Sequence, residues 1–243
     1  MEIFWKTISD YNISTWYLQI LILLAGLFLT IILYRKPMRI IQQAMKLYMV
    51  FVNLWVAAVY YMIYGATRQY YYIFAIFWGI VACIWFYDLL KGDYTFERSY
   101  KFDKIAYVIY ALPFIYPIIS LSRGMQFPAI TSPVMPCTVS IFTIGLLLSF
   151  SKKINLFLVL FLFHWALLGV AKIYLYKIPE DIILAIFTIP AVFLYLRESI
   201  NSGIAVETKP GAKTINALLL GVCSIVGLVL SYVVISSFGL TIF

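Results

Sequence analysis

The chain carries a single histidine, His164, inside an apolar run that begins near Asn155. Counting about nine residues at roughly 1.5 Å each puts it near 14 Å deep, close to the midplane of a bilayer. Imidazole titrates near neutral pH, so a group at that depth can handle protons or contact a substrate. The competing reading is a neutral histidine bonded to a neighbouring helix. Asn53 occupies a comparable depth in another apolar run, two residues before Trp55, and His164 directly precedes Trp165. His164, Asn53, Trp55 and Trp165 therefore form the expected substrate or proton pathway, with interhelical hydrogen bonding as the alternative role of Asn53. No metal site is expected, because the histidine's own helix offers neither a second histidine nor a suitably spaced acid.

A second polar cluster is expected at the ends of the apolar runs, built from Asp10, Tyr11, Asn12, Cys137, Thr138, Ser140, Glu180 and Asp181. Pro136 suits the first position of a helix, so backbone N–H groups near Cys137 to Val139 can receive an anionic group. Glu180 and Asp181 follow Pro179 and suit a first helical turn, where they cap the helix and complement its dipole or else bind a cation. Cys137 as a nucleophile needs a base, and His164 is expected much deeper. The three cysteines, Cys83, Cys137 and Cys223, lack CxxC spacing and imply neither a disulfide framework nor a thiolate metal site.

The elements that must position these groups are set by composition. With 64% hydrophobic and 12% charged residues, the chain is not an ordinary soluble domain. Eight apolar stretches predict helices at Trp16 to Tyr34 and at about 43–64, 70–90, 105–122, 136–151, 155–174, 181–196 and 214–239. The fold class is thus all-α, a polytopic transmembrane bundle of about eight helices. The fifth and seventh are short for a full span. Lys6 followed by the polar stretch Ser9 to Thr15 is not a secretory leader, and no cleaved segment is expected. Pro113, Pro117 and Pro190 are expected to interrupt helices four and seven.

Lys and Arg crowd every second gap. Arg35, Lys36, Arg39 and Lys46 fall between helices one and two, and Lys91, Arg98, Lys101 and Lys104 between three and four. Lys152 and Lys153 follow helix five, and Arg197, Lys209 and Lys213 precede helix eight. Thirteen of the eighteen basic residues then share one side, against Lys6, Arg68, Arg123, Lys172 and Lys177 on the other. By the positive-inside rule both termini lie outside the cytoplasm. The formal charge of +8 is explained by this orientation and not by nucleic acid, since the basic residues form no continuous stripe. The loops 92–104 and 201–213 are too short for a soluble domain and hold no phosphate-binding loop, which argues against nucleotide-driven pumping.

Shifting the chain by 110 positions pairs Phe51 with Phe161, Trp55 with Trp165, Ile63–Tyr64 with Ile173–Tyr174, and Ile73, Ala75, Ile76 and Phe77 with Ile183, Ala185, Ile186 and Phe187. Eight identities in 27 positions exceed the about three that composition supplies. Two parallel four-helix repeats, halves 1–122 and 123–243 of one transmembrane domain, are the expected arrangement, with coincidence of composition as the alternative. Gly26 falls over Gly145 once a gap is allowed.

The segments Tyr11-Asn12 with Trp16 and Gln19, Pro136-Cys137-Thr138 running into Ile141 to Leu148, and Trp165-Ala166-Leu167-Leu168-Gly169 followed by Glu180-Asp181 resemble a bacterial multi-pass membrane family, domain of unknown function 6064. Tyr17 stands where that family usually has a proline after the first tryptophan. The resemblance covers most of the chain and implies a bacterial inner-membrane protein, with no established activity, substrate or cofactor.

Three functional classes remain open from the residues. A small-solute or ion transporter or channel accounts for the repeat and the midplane polar groups. A non-catalytic scaffold or subunit of a membrane complex accounts for the scarcity of buried charge. An intramembrane enzyme stands third, because carboxylate pairs, HExxH and clustered histidines are missing. A rhodopsin-like receptor is disfavoured by the lack of a lysine in the last helix. No cofactor is expected, and the expected partners are the lipid bilayer and either further copies of the chain or another membrane protein.

Overall fold

A computed structural model of the chain describes residues 2–91, 96, 98, 102–150, 156–176, 178–188 and 190–191. The expected eighth helix, the loop 201–213, Cys223, the end of helix seven, and Lys101, Lys152, Lys153, Lys177, Arg197, Lys209 and Lys213 lie outside the described residues. The chain divides into two compact units, Met1–Lys152 and Lys153–Phe243.

The described residues are all-α, with seven named helical elements, a further helical run at 181–188 and no sheet. In the first unit these are α1 (Glu2–Arg35), α2 (Arg39–Trp55), a π-helix continuing it (Val56–Tyr64), α3 (Tyr71–Lys91), α4 (Asp103–Ser122) and α5 (Pro136–Phe150). The second holds α6 (Leu156–Tyr176) and a further helical run at 181–188. Four helices, Glu2–Arg35, Arg39–Tyr64, Tyr71–Lys91 and Asp103–Ser122, are long and apolar enough to cross a membrane. Helix α5, at 15 residues and about 22 Å, is shorter than a hydrocarbon core and is buried along its entire length.

Helix α1 corrects the expected start at Trp16. It begins at Glu2 and runs 34 residues, about 50 Å, so the polar stretch Ser9 to Thr15 is helical. The reason is local. Thr7, Ser9 and Thr15 hydroxyls donate to the carbonyls of Ile3, Trp5 and Tyr11 one turn back, which leaves the helical ladder intact. The second correction concerns Pro113 and Pro117, which lie inside a continuous α4 and do not interrupt it. The third concerns Lys46, which belongs to the interior of α2 and not to the turn between α1 and α2.

The change to π winding coincides with a change in the spacing of buried residues. Buried residues along α2 recur as 45/46, 49/50 and 52/53, close to the α period, and then as 56/57 and 60/61, with Gly65 next. The stripe of Val56, Ala57, Tyr60 and Tyr61 thus has a period of four, between that of an α-helix and that of the wider i→i+5 winding. The segment paired with this one by the 110-residue shift, 166–174, is α-helical within α6.

Within the first unit α2 and α3 pack together, α4 lies against α5, and α1 crosses α2 and the π-helix. Two glycines permit the closest approaches. A Cβ at Gly26 of α1 would stand 2.7 Å from Cζ of Tyr48, whose hydroxyl donates to the Ile22 carbonyl at 3.1 Å. A Cβ at Gly145 of α5 would stand 3.1 Å from Ile109 and Tyr110 of α4. Gly26→Ala is therefore expected to expel the Tyr48 ring and lower stability by about 1–3 kcal/mol, read as a lower unfolding midpoint in mild detergent. An unchanged midpoint would show that Tyr48 is free to move aside.

Candidate functional site

At the Tyr11 end of the first unit, polar side chains of α1 fasten the loop that precedes α5. The Tyr11 hydroxyl donates to the Val134 carbonyl at 2.6 Å and accepts from Trp55 Nε1 at 2.9 Å. Asn12 Nδ2 donates to the carbonyls of Pro128 and Ile130, both at 2.8 Å, and its Oδ1 accepts from Gln19 Nε2 at 3.3 Å. Gln19 also donates to Thr15 Oγ1 at 2.9 Å. Residues 12, 15 and 19 recur at helical spacing, so one buried polar stripe of α1 supplies the network. The rings of Tyr60 and Tyr64 meet Tyr11 edge-on, with centroids 5.1 and 5.7 Å away. Ser120 and Thr131 hydroxyls, 2.8 Å apart, close the loop from α4.

Of the residues expected in the second polar cluster, those of the first unit are placed as follows. Tyr11 and Asn12 reach the corner leading into α5, where Cys137, Thr138 and Ser140 are buried. Thr138 Oγ1 accepts from the Met135 N–H at 2.9 Å, the Val139 N–H donates to the Met135 carbonyl, and Ser140 donates to the Pro136 carbonyl. Thr138 thus bonds back to the residue that precedes α5, as the third helical residue of a capping box does. Asp10 is exposed. Trp55, two residues beyond Asn53, donates its indole N–H to the Tyr11 hydroxyl.

Asn53 is fully buried, and its Nδ2 donates to the Met49 carbonyl one turn back at 2.6 Å. Its Oδ1 has no hydrogen-bond partner among the described residues. Fourteen residues separate it from Arg39, about 21 Å, so it sits toward the Tyr11 end, just before the change to π winding. Below it on α2, Lys46 Nζ lies 2.9 Å from Asp88 Oδ2 of α3 and donates to the Asp88 carbonyl at 3.3 Å. Lys46 is 4% and Asp88 6% exposed.

Sequence reasoning missed this pair by counting Lys46 with the loop. The available signal was one acid and one base, each a turn or two inside adjoining apolar helices, which is affordable only if they meet.

The opposite end of the unit holds a second charged assembly. Arg98 grips both carboxylate oxygens of Asp103, at 2.7 and 2.8 Å, and its guanidinium lies 3.8 Å from the centroid of the Tyr34 ring. Burial opposes its charge, but the Asp103 hydrogen bond and the neighbouring Tyr34 and Asp103 outweigh burial and raise its pKa. The hydroxyls of Tyr34 and Ser149 are 2.5 Å apart, and Tyr110 also donates to Ser149. Arg98 is thereby held against α1, α4 and the end of α5.

In the second unit His164 is half-buried, and its Nδ1 lies 2.7 Å from the Leu160 carbonyl of its own helix. Trp165 is buried, with Lys172 Nζ 4.9 Å from its ring centroid. The same ammonium lies 2.8 Å from Asp181 Oδ2. Glu180 and Asp181 are both buried, and Asp181 opens the helical run 181–188 while pairing with α6. Among the described residues no three His, Cys, Asp or Glu side chains are grouped to hold a metal ion.

Against known proteins, the chain matches the Family of unknown function (DUF6064) over residues 1–206. No curated protein and no solved structure matches it.

Proposed function

The chain belongs to the DUF6064 family, and we propose that it is a multi-pass protein of the bacterial cytoplasmic membrane that passes a small solute or ion. The observation that carries this reading is Asn53. A buried amide oxygen without a donor costs free energy in a dry interior, and a passing solute, ion or water relieves that cost. Its place at the α-to-π junction adds support, because π segments recur at functional positions. In this proposal the chain forms eight spans in two parallel halves, 1–122 and 123–243, with both termini outside. His164 and Trp165 are assigned to a solute- or proton-contacting role within the second unit. Tyr11, Asn12, Cys137, Thr138 and Ser140 are assigned to the outer end of the first unit, and Glu180 and Asp181 to a polar site of the second.

A scaffold or subunit role is the second reading. It is favoured by the Tyr11, Asn12 and Trp55 network, whose polar groups are spent on fastening a loop.

The test is flux into liposomes containing the purified full chain, read for protons with an internal pH dye, for K⁺ and Na⁺ by conductance, and for labelled amino acids and sugars. Wild-type protein is expected to pass at least one of these above empty liposomes, and Asn53→Leu to lower that flux at least tenfold while eluting as a folded species. Flux equal to that of empty liposomes for the whole panel would sink the transport reading. A stoichiometric membrane partner in mild detergent would then support the scaffold.

A further inference from the structure

Two contacts of the first unit gather four helix ends at one place. Tyr34, at the end of α1, meets Tyr107 and Tyr110 at the start of α4, with ring centroids 5.6 and 6.3 Å apart. Near the start of α2, Lys46 joins the end of α3 through Asp88.

Seven described basic residues belong to this end, and the structure sorts them into two kinds. Lys46 and Arg98 are consumed internally by Asp88 and Asp103. Arg35, Lys36, Arg39, Lys91 and Lys104 are exposed, and none has an ion pair or side-chain hydrogen bond among the described residues. The two described carboxylates of this end are already engaged, so five positive charges stand uncompensated by them. Exposed apolar side chains sit beside the charges: Met38 and Ile40 flank Arg39, Leu90 precedes Lys91, and Ile105 follows Lys104.

We propose that this rim is a docking surface for anionic phospholipid headgroups, with Arg35, Lys36 and Arg39 as its centre and Lys91 and Lys104 at its edge. Charge complementarity selects the occupant. A lipid with a net negative phosphodiester neutralises the rim while its acyl chains cover the adjoining apolar side chains, which a free anion cannot do. The proposal stands on the four membrane-length helices and is independent of the transport reading. Each basic residue near an anionic surface contributes roughly a fivefold gain in affinity, and the attraction weakens with salt.

The experiment titrates the full chain in neutral detergent with phosphatidylglycerol, phosphatidylcholine or inorganic phosphate and counts bound adducts by native mass spectrometry. Phosphatidylglycerol is expected to bind at concentrations at least tenfold lower than phosphatidylcholine. The combined variant Arg35→Gln, Lys36→Gln, Arg39→Gln is expected to lose that preference, and Lys6→Gln, at the Tyr11 end, to keep it. Equal binding of the two lipids by the wild-type chain overturns the proposal. So does a preference that survives in the triple variant, or one that Lys6→Gln weakens as much. Displacement of phosphatidylglycerol by an equal concentration of inorganic phosphate overturns the lipid assignment in favour of a free-anion site.

Discussion

Lys46→Ala is expected to cost the chain about 3–5 kcal/mol, because it strands the Asp88 carboxylate between α2 and α3 with its partner ammonium removed. The magnitude comes from desolvation. A buried pair offsets the loss of water around each ion, and half a pair does not. Replacing both partners by apolar residues of similar length removes the charge to be compensated, so Lys46→Met with Asp88→Leu is expected to recover most of the loss. Unfolding midpoints in mild detergent, measured for Lys46→Met, Asp88→Leu and the double variant, give the coupling directly. Single variants that each lose less than about 1 kcal/mol would mean that water reaches the pair, as at a surface salt bridge.

Asn12→Ala is expected to have the next largest effect. It takes the donor from the part-buried Pro128 and Ile130 carbonyls and leaves Gln19 with Thr15 alone, a total loss of about 1–3 kcal/mol. The loss should be local, since the broken bonds tie α1 to a loop more than 110 residues away. Amide hydrogen exchange in residues 124–135 should therefore rise well before exchange in α3, whose helix makes none of these contacts. Uniform acceleration across the first unit would show that the network holds the whole bundle and not the loop alone.

Much of the helical frame was legible in local composition. The expected boundaries at 70–90, 105–122 and 136–151 fall within a few residues of α3, α4 and α5, because apolar runs of this length end at polar or glycine-containing turns. The extension of α1 was not legible, since Ser9 to Thr15 read as polar loop until their hydroxyls were seen bonded back to the helix. The π-helix was hidden for a related reason. Its residues are apolar on every side, so only burial against α1 and α3 reveals a stripe of period four.

The site divides in the same way. Asn53 was visible as a polar residue in an apolar run. That one of its two amide atoms lacks a partner depends on what packs around it. Trp55 was paired with Asn53 by nearness in sequence, yet its indole reaches Tyr11, 44 residues away.

The sequence by itself determined that this is an all-α chain with membrane-length helices and belongs to DUF6064, because apolar run length and short motifs are local properties. It also determined how many basic residues fall in each gap. Only the tertiary structure decided which of them remain available. Lys46 and Asp88 are 42 positions apart, and an ion pair forms only where folding brings two helices side by side. Arg98 is likewise taken up by Asp103 and the Tyr34 ring, leaving the five exposed residues of the rim to face whatever lies outside.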